Sequence, residues 1–253
     1  MKDNARRKSF SDHGREWLDT LVVAISVAMA FRAYFYEPFN IPTGSMQPTL
    51  WGYHTEQGTE KGAWDVFPLS FLKWAWSGES FVDHKAAASG SPRMRVRGDG
   101  FADVAVGLSD RTFKVPTDTL PSIMGRYYRE GESVWKGTVT TGDFIFVNRW
   151  LWNFRRPRNG DVMIFSTTGI DGLPQGTHYI KRMKARPGET YELEHPVEGR
   201  PAVVTMGDGE YFACGDNFNN SNDSRYWGPV PEENLRGIGS VVFWPFKGWR
   251  IIK

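Results

Sequence analysis

The amino-acid sequence predicts a mainly β fold of antiparallel sheets behind a single N-terminal helix, and three features of its 253 residues predict it. From residue 141 onward, short alternating or apolar segments recur: Phe144 to Asn148, Val162 to Ser166, His178 to Met183, Tyr191 to Glu194, Ala202 to Met206, Tyr211 to Cys214 and Gly239 to Trp244. Tight-turn signals such as Asn159-Gly160 and Gly207-Asp208-Gly209 separate them, as hairpins require. The third feature is the one strongly apolar run, Leu21 to Phe31, which lies ahead of every strand. With 40% hydrophobic and 15% aromatic residues, the chain has ample material for a core.

The apolar run follows Lys2, Arg6, Arg7, Lys8 and Arg15, so the positive-inside rule keeps the N-terminus in the cytoplasm. The run itself is short, but a helix from Trp17 to Tyr36 reaches about 30 Å, with Arg32 snorkelling outward and Trp17, Tyr34 and Tyr36 at interfacial depth. Asp19 makes the span marginal. The rival is a cleavable signal peptide ending at Ala28-Met29-Ala30. The anchor is preferred because the aromatic run leads into the next motif without a linker. The expected organisation is a cytoplasmic tail at 1–16, a transmembrane anchor at 17–36 and an extracytoplasmic domain at 37–253. That describes a single-pass protein of the cytoplasmic (inner) membrane, with the lipid bilayer as a partner.

The extracytoplasmic part opens on Pro38-Phe39-Asn40-Ile41-Pro42-Thr43-Gly44-Ser45-Met46-Gln47-Pro48-Thr49-Leu50. The three prolines exclude a helix interior, Pro42 pushes Ile41 toward extended geometry, and Gly44 permits a tight turn before Ser45. An extended edge ending in a presented serine is expected. Residues 51–140 differ in character and are expected to form an inserted subdomain, with a small-residue loop from Ala86 to Ser91 and a strand at Arg93-Met94-Arg95-Val96-Arg97. Its aromatic cluster, Phe67 to Trp76, admits two readings: the subdomain's own core, or an interfacial patch with Lys73 snorkelling.

Composition removes several classes of function. A net charge of +2, from 31 basic and 29 acidic residues, carries no polyanion signature, so nucleic acid is not an expected partner. One cysteine, Cys214, and five scattered histidines leave no internal disulfide and no metal-ligand spacing. A hydroxyl nucleophile remains, and it needs a base, either histidine or a neutral lysine. Lys181, in the strand His178-Tyr179-Ile180-Lys181-Arg182-Met183, is the placed candidate, with Ile180 on the opposite face. Working near neutrality demands a pKa about three units below the free value, roughly 4 kcal/mol of destabilisation of the ammonium. A hydroxyl to hold the amine is available in the loop Gly215 to Gly228, whose Asx and Ser residues serve equally well as turn chemistry. Taken singly, Ser45 reads as a turn residue and Lys181 as a solvated strand end.

Four ordered segments alter that reading: Tyr36 to Met46, Gly142 to Asn148, Tyr179-Ile180-Lys181-Arg182, and Asp223 to Gly228. Together they resemble the type I signal peptidases, membrane-anchored serine proteases that remove signal peptides from exported proteins. The resemblance covers residues 34–50 and 141–253. It implies Ser45 as nucleophile, Lys181 as general base and Ser221 as the hydroxyl bonding the lysine amine. It also implies an oxyanion hole of the Thr43 hydroxyl and the Ser45 amide, and a structural ion pair of Asp223 with Arg225. Phe39, Ile41, Met46, Leu50 and Ile180 match positions lining pockets for small residues before the scissile bond. The precursor would add as a β-strand near Ile41 and Tyr179. Precursor signal peptides with Ala-X-Ala ends are the implied substrates, and neither metal nor organic cofactor is implied.

The chain departs from that pattern in four places. Phe218-Asn219 stands where Arg-Asp is usual, and Ala185 and Arg186 where Gly and Leu are common. The 90 residues after Leu50 replace a short connection, and the usual large insertion after the lysine shrinks to a ribbon. Three other readings stay open at this point. A Ser-His-Asp hydrolase would use His178 or His195, although the chain has no Gly-x-Ser-x-Gly elbow. A Ser-Lys autopeptidase of another substrate class and a non-catalytic membrane-anchored β domain are the others.

Overall fold

The computed structural model describes residues 10–97 and 101–253. Its N-terminal helix is Phe10–Tyr34, and Tyr36 already belongs to the first strand. Side chains described between Gly14 and Arg32 are all exposed. Among the described residues, no helix is both long and apolar enough to cross a membrane. The transmembrane anchor expected at 17–36 is therefore not found, and charge supplies the reason. Arg15, Glu16 and Asp19 occupy the early turns and Arg32 the last, which leaves Thr20 to Phe31 uncharged. That stretch is about 18 Å of helix against the ~30 Å of a hydrocarbon core. Lys2, Arg6, Arg7 and Lys8, on which the expected orientation rests, lie outside the described residues.

The expectation of antiparallel β structure holds. An eight-stranded sheet runs from Tyr36–Asn40 at one edge through Phe144–Asn148, Leu235–Trp244, Val162–Ser166, His178–Ala185 and Glu210–Cys214 to Val230–Pro231, with Arg250–Ile251 also paired to the long strand. All of these pairings are antiparallel. Val162–Ser166 is buried along its whole length, which explains its unbroken apolar run. Val162 and Ile164 pack with Ile145, Val147 and Val242 on one face, while Met163 and Phe165 pack with Met183, Tyr211 and Ala213 on the other. The ribbon Thr190–Glu192 with Val203–Thr205 stands off this sheet as a separate pair.

Between the serine stretch and Phe144–Asn148, the chain builds two further sheets. His54–Gln57, Ser133–Thr140 and Glu79–Lys85 form one, and Pro92–Val96, Phe101–Val106 and Phe113–Pro116 the other. They share a core around Val104, Ile123, Tyr128 and Trp135 that is distinct from the clusters packed on the large sheet. Tyr128 is fully buried and satisfies its hydroxyl on the Ile123 carbonyl at 3.0 Å.

Candidate active site

The edge strand Tyr36–Asn40 pairs with Phe144–Asn148 on one side only, and after Pro42 the backbone tightens into a single 3-10 turn, Gly44–Met46. Thr43 precedes that turn in extended conformation, exposed, and its side chain makes no bond to the turn it caps. The first amides of such a turn have no partner inside it, which leaves the Ser45 N–H without a bond from within the turn. Met46 and Leu50 are fully buried and root the turn in the core beneath.

Lys181 arrives on the strand His178–Ala185, which lies between Val162–Ser166 and Glu210–Cys214. A hydrogen bond of 2.8 Å joins Lys181 Nζ to Ser45 Oγ, across 136 residues of sequence. The lysine is only 4% exposed. Burial pushes its pKa down from 10.5 to about 8, against the nearby carboxylates Asp223 and Asp216 and with help from Arg225. The two residues are therefore at proton-transfer distance, with the amine tuned toward its neutral form. The histidines are engaged elsewhere: the His178 ring meets Phe39 at 5.5 Å and His195 lies 4.1 Å from Phe218.

Several side chains that the sequence did not single out hold this pair together. Asn217 grips the serine peptide twice, its N–H donating to the Ser45 carbonyl at 3.0 Å and its Nδ2 to the Gly44 carbonyl at 3.1 Å. Arg182, next to the lysine, forks onto Asp216 at 2.7 and 2.8 Å and reaches Thr49 Oγ1 at 3.0 Å. Asp143 closes the far end, accepting from the Trp51 amide at 2.8 Å and from Arg250, which also donates to the Thr49 carbonyl at 2.7 Å. The Asx-rich composition after Gly215 was the one visible signal for Asn217, and turn chemistry accounts for it equally well. Gly142 and Gly52 are interlocked with the serine stretch, since a Cβ on Gly142 would overlap the Ile41 carbonyl and one on Gly52 the Thr43 backbone. Gly142→Ala is therefore expected to cost about 3 kcal/mol of stability through overpacking against rigid backbone, measurable by denaturant unfolding.

The remaining sequence expectations fare unevenly. Phe39, Ile41, Met46, Leu50 and Ile180 do come together in one cluster. Ile41, Met46 and Leu50 are buried in it, whereas Phe39 and Ile180 are half-buried and offer surface. Tyr179 falls in the other cluster, beside Phe165 at 6.2 Å. Ser221 does not make its expected bond. Its hydroxyl is buried without a hydrogen-bond partner and is packed over Gly215, whose missing side chain makes the room. Asp223 and Arg225 form the expected pair, at 2.8 Å and almost wholly buried. Phe218, in place of the usual arginine, sets its ring 5.5 Å from the Arg225 guanidinium. Cys214 is buried, and its thiol is pushed up to about 12 chiefly by burial, so it is inert at neutral pH.

Comparison with known proteins decides the family. The model described as "Signal peptidase, peptidase S26" matches residues 120–198 and 193–244. A probable signal peptidase I-1 of Synechocystis sp. is 32% identical over 132 residues, covering 44% of this chain and 67% of its own length. Signal peptidase I T of Bacillus subtilis is 30% identical over 155 residues, covering 50% of this chain and 77% of the relative. The chain belongs to the type I signal peptidase family. Membership makes it a serine endopeptidase that processes signal peptides. Lys181 lies inside the family match and Ser45 ahead of it. The signal peptidase I of Pseudomonas aeruginosa, 27% identical over 252 residues, covers 92% of this chain and so spans both, with 73% of its own length matched. A signal peptidase I structure from Enterococcus faecalis V583 aligns with 33% of this chain and 97% of its own at 23% identity and a TM-score of 0.26, too low to bear on the fold.

Proposed function

We propose that Ser45 is the nucleophile and Lys181 the general base of this signal peptidase, a reading carried by the 2.8 Å bond between Ser45 Oγ and a buried lysine amine. The neutral amine takes the hydroxyl proton as Oγ attacks the scissile carbonyl carbon, and the oxyanion forms against the Ser45 amide and the Thr43 hydroxyl. The lysine then returns the proton to the departing amine; in the second half, water attacks the acyl carbon as the same lysine takes its proton, and the lysine passes that proton to Ser45 Oγ as the C–Oγ bond breaks, which restores the hydroxyl and the neutral amine. These side chains complete the proton balance without a cofactor or metal. The Ser221 hydroxyl, buried and unpartnered, would turn toward the amine during the cycle. Asp223 and Arg225 hold the loop beneath it.

The substrate would be an extended precursor segment added along the open edge of Tyr36–Asn40. Because Ile41, Met46 and Leu50 fill the floor, the sites bordered by Phe39 and Ile180 are shallow and suit small residues, as in Ala-X-Ala. Residues 51–140 would be an insertion into a catalytic unit of 37–253. The exposed apolar side chains Leu21 to Phe31 would lie in lipid and keep the domain at the extracytoplasmic face of the inner membrane. The test is to incubate the detergent-solubilised protein with an exported precursor and map the bond broken. Cleavage after a small residue is expected, and the same cleavage by Ser45→Ala would overturn the assignment. Thr43→Val is expected to lower kcat on the order of 100-fold with little change in KM, since only the transition state loses a donor.

A further inference from the structure

The inserted subdomain does not stand clear of the catalytic sheet. Its chain leaves near Tyr53 and returns at Thr141, and both joints are pinned: the Thr141 amide donates to the Gly78 carbonyl at 3.1 Å and the Asp143 amide to the Trp51 carbonyl at 2.8 Å. The small sheet of Pro92–Val96, Phe101–Val106 and Phe113–Pro116 has two unlike faces. Ala102, Val104 and Val115 point into the subdomain core, so their strand neighbours Phe101, Asp103 and Lys114 point the other way. That second face closes a cleft of about 320 Å³, with Tyr53, Phe101 and Lys114 on the subdomain's side and Asn40, Pro42 and Phe144 on the side of the catalytic sheet. The Phe101 ring packs on Tyr53 at 4.6 Å and carries the Lys114 ammonium 3.9 Å from its centre.

The cleft lies on the face of the edge strand that the small-residue sites do not use. Phe39 and Ile41 turn toward the core of the sheet. Asn40, between them, is paired with Phe144, which alternates with the buried Ile145, so both take the outer face. A precursor strand added along this edge alternates in the same way. With its first and third residues before the bond facing Phe39 and Ile180, the residue between them turns to the side of Asn40 and the cleft.

We propose that this cleft is a subsite for the middle residue of Ala-X-Ala, built by the insertion, and that it selects a long side chain with an anionic end, glutamate above all. The proposal rests on the precursor binding along Tyr36–Asn40, and it deepens that reading by adding a third specificity position. Aromatic walls suit the methylenes of such a side chain, and the charge of the subdomain's face suits its carboxylate. Arg93 and Arg95 stand opposite Ala105 and Asp103, on the same face as Lys114. Asp103, a carboxylate on that face, is paired with Arg97 at 3.5 Å. A lysine at X would meet this field with like charge.

The test uses the full chain and soluble peptides that differ only at X. With Glu, Ala and Lys there, kcat/KM should fall in that order, Glu exceeding Lys about tenfold at low salt, and the ratio should shrink as salt rises. Lys114 is exposed, and Lys114→Glu should bring the ratio of Glu to Lys to one or below. Equal kcat/KM for the three peptides, or a preference for Glu that survives Lys114→Glu, would overturn the proposal. A readout without turnover places a photoreactive benzoylphenylalanine at X in a peptide mixed with Ser45→Ala. Cross-links to Tyr53, Phe101 or Lys114 are expected, and cross-links found elsewhere or not at all would overturn the proposal. Those cross-links together with no cleavage of any peptide by the wild type would count against the catalytic reading and leave the subsite standing.

Discussion

Ser45→Ala and Lys181→Ala are each expected to lower kcat/KM for precursor cleavage on the order of 10⁴-fold or more while leaving the protein folded. The two act as one unit, so the double variant should be hardly worse than either single one. Lys181→Arg should be as inactive as Lys181→Ala, because a guanidinium cannot give up its proton at accessible pH. Lys181→Met carries a second expectation, in stability. A lysine whose folded pKa lies at about 8 rather than 10.5 resists protonation when folded. The penalty is fully present below pH 8 and fades as pH rises toward the unfolded value, amounting to about 3 kcal/mol at its largest. Methionine removes it, so the inactive variant should unfold at higher denaturant than wild type at pH 7, with the two converging in strong alkali.

Asp223→Ala is expected to cost about 3–5 kcal/mol, the largest stability loss of any single change near the site. The carboxylate is fully buried and accepts from the Gly215 amide at 2.9 Å, from Arg225 Nε at 2.8 Å and from Arg225 Nη2 at 3.0 Å. Its loss strands a guanidinium that is itself 5% exposed. Replacing both partners, as Asp223→Ala with Arg225→Met, should recover part of the loss, because no uncompensated charge then remains. Denaturant unfolding of the two single variants and the double one measures that coupling. The carboxylate also opposes the depression of the Lys181 pKa. The charge-neutral Asp223→Asn should accordingly shift the rising limb of the rate profile to lower pH, provided it stays folded.

The strands were legible because their burial is one-sided or complete and their turns are marked by glycine. Phe144–Asn148 alternates as predicted, and Val162–Ser166 runs apolar because both faces are covered. Ser45 and Lys181 were legible only as a constellation, since 136 residues separate two side chains that each look ordinary alone. The braces around them were not legible. Asn217 works through backbone carbonyls of another segment, and Gly142 through the space its missing side chain leaves for Ile41, and neither leaves a local pattern. Ser221 shows the limit of a matched motif: its position follows the sequence, but the rotation of its hydroxyl depends on packing over Gly215. The N-terminal helix was overread. Counting residues from Trp17 to Tyr36 gave sufficient length, but Asp19 and Arg32 interrupt the apolar segment, and Tyr36 is drawn into the sheet by its pairing with Asn148. For Phe67 to Trp76, the sequence could not choose between core and surface, because aromatic content is the same in both. The structure makes the choice: the buried cluster of Val104, Ile123, Tyr128 and Trp135 forms without them, and Phe67, Phe71 and Trp76 stay exposed.

The central claim is that a buried, neutral Lys181 draws the proton from Ser45, and the dependence of kcat/KM on pH tests it most directly. With a soluble peptide substrate, kcat/KM should rise with pH along a single limb of apparent pKa near 8 and level off above it. A profile still climbing at pH 10, as for an unperturbed lysine amine, or the same profile with substantial turnover in Lys181→Arg, would contradict it.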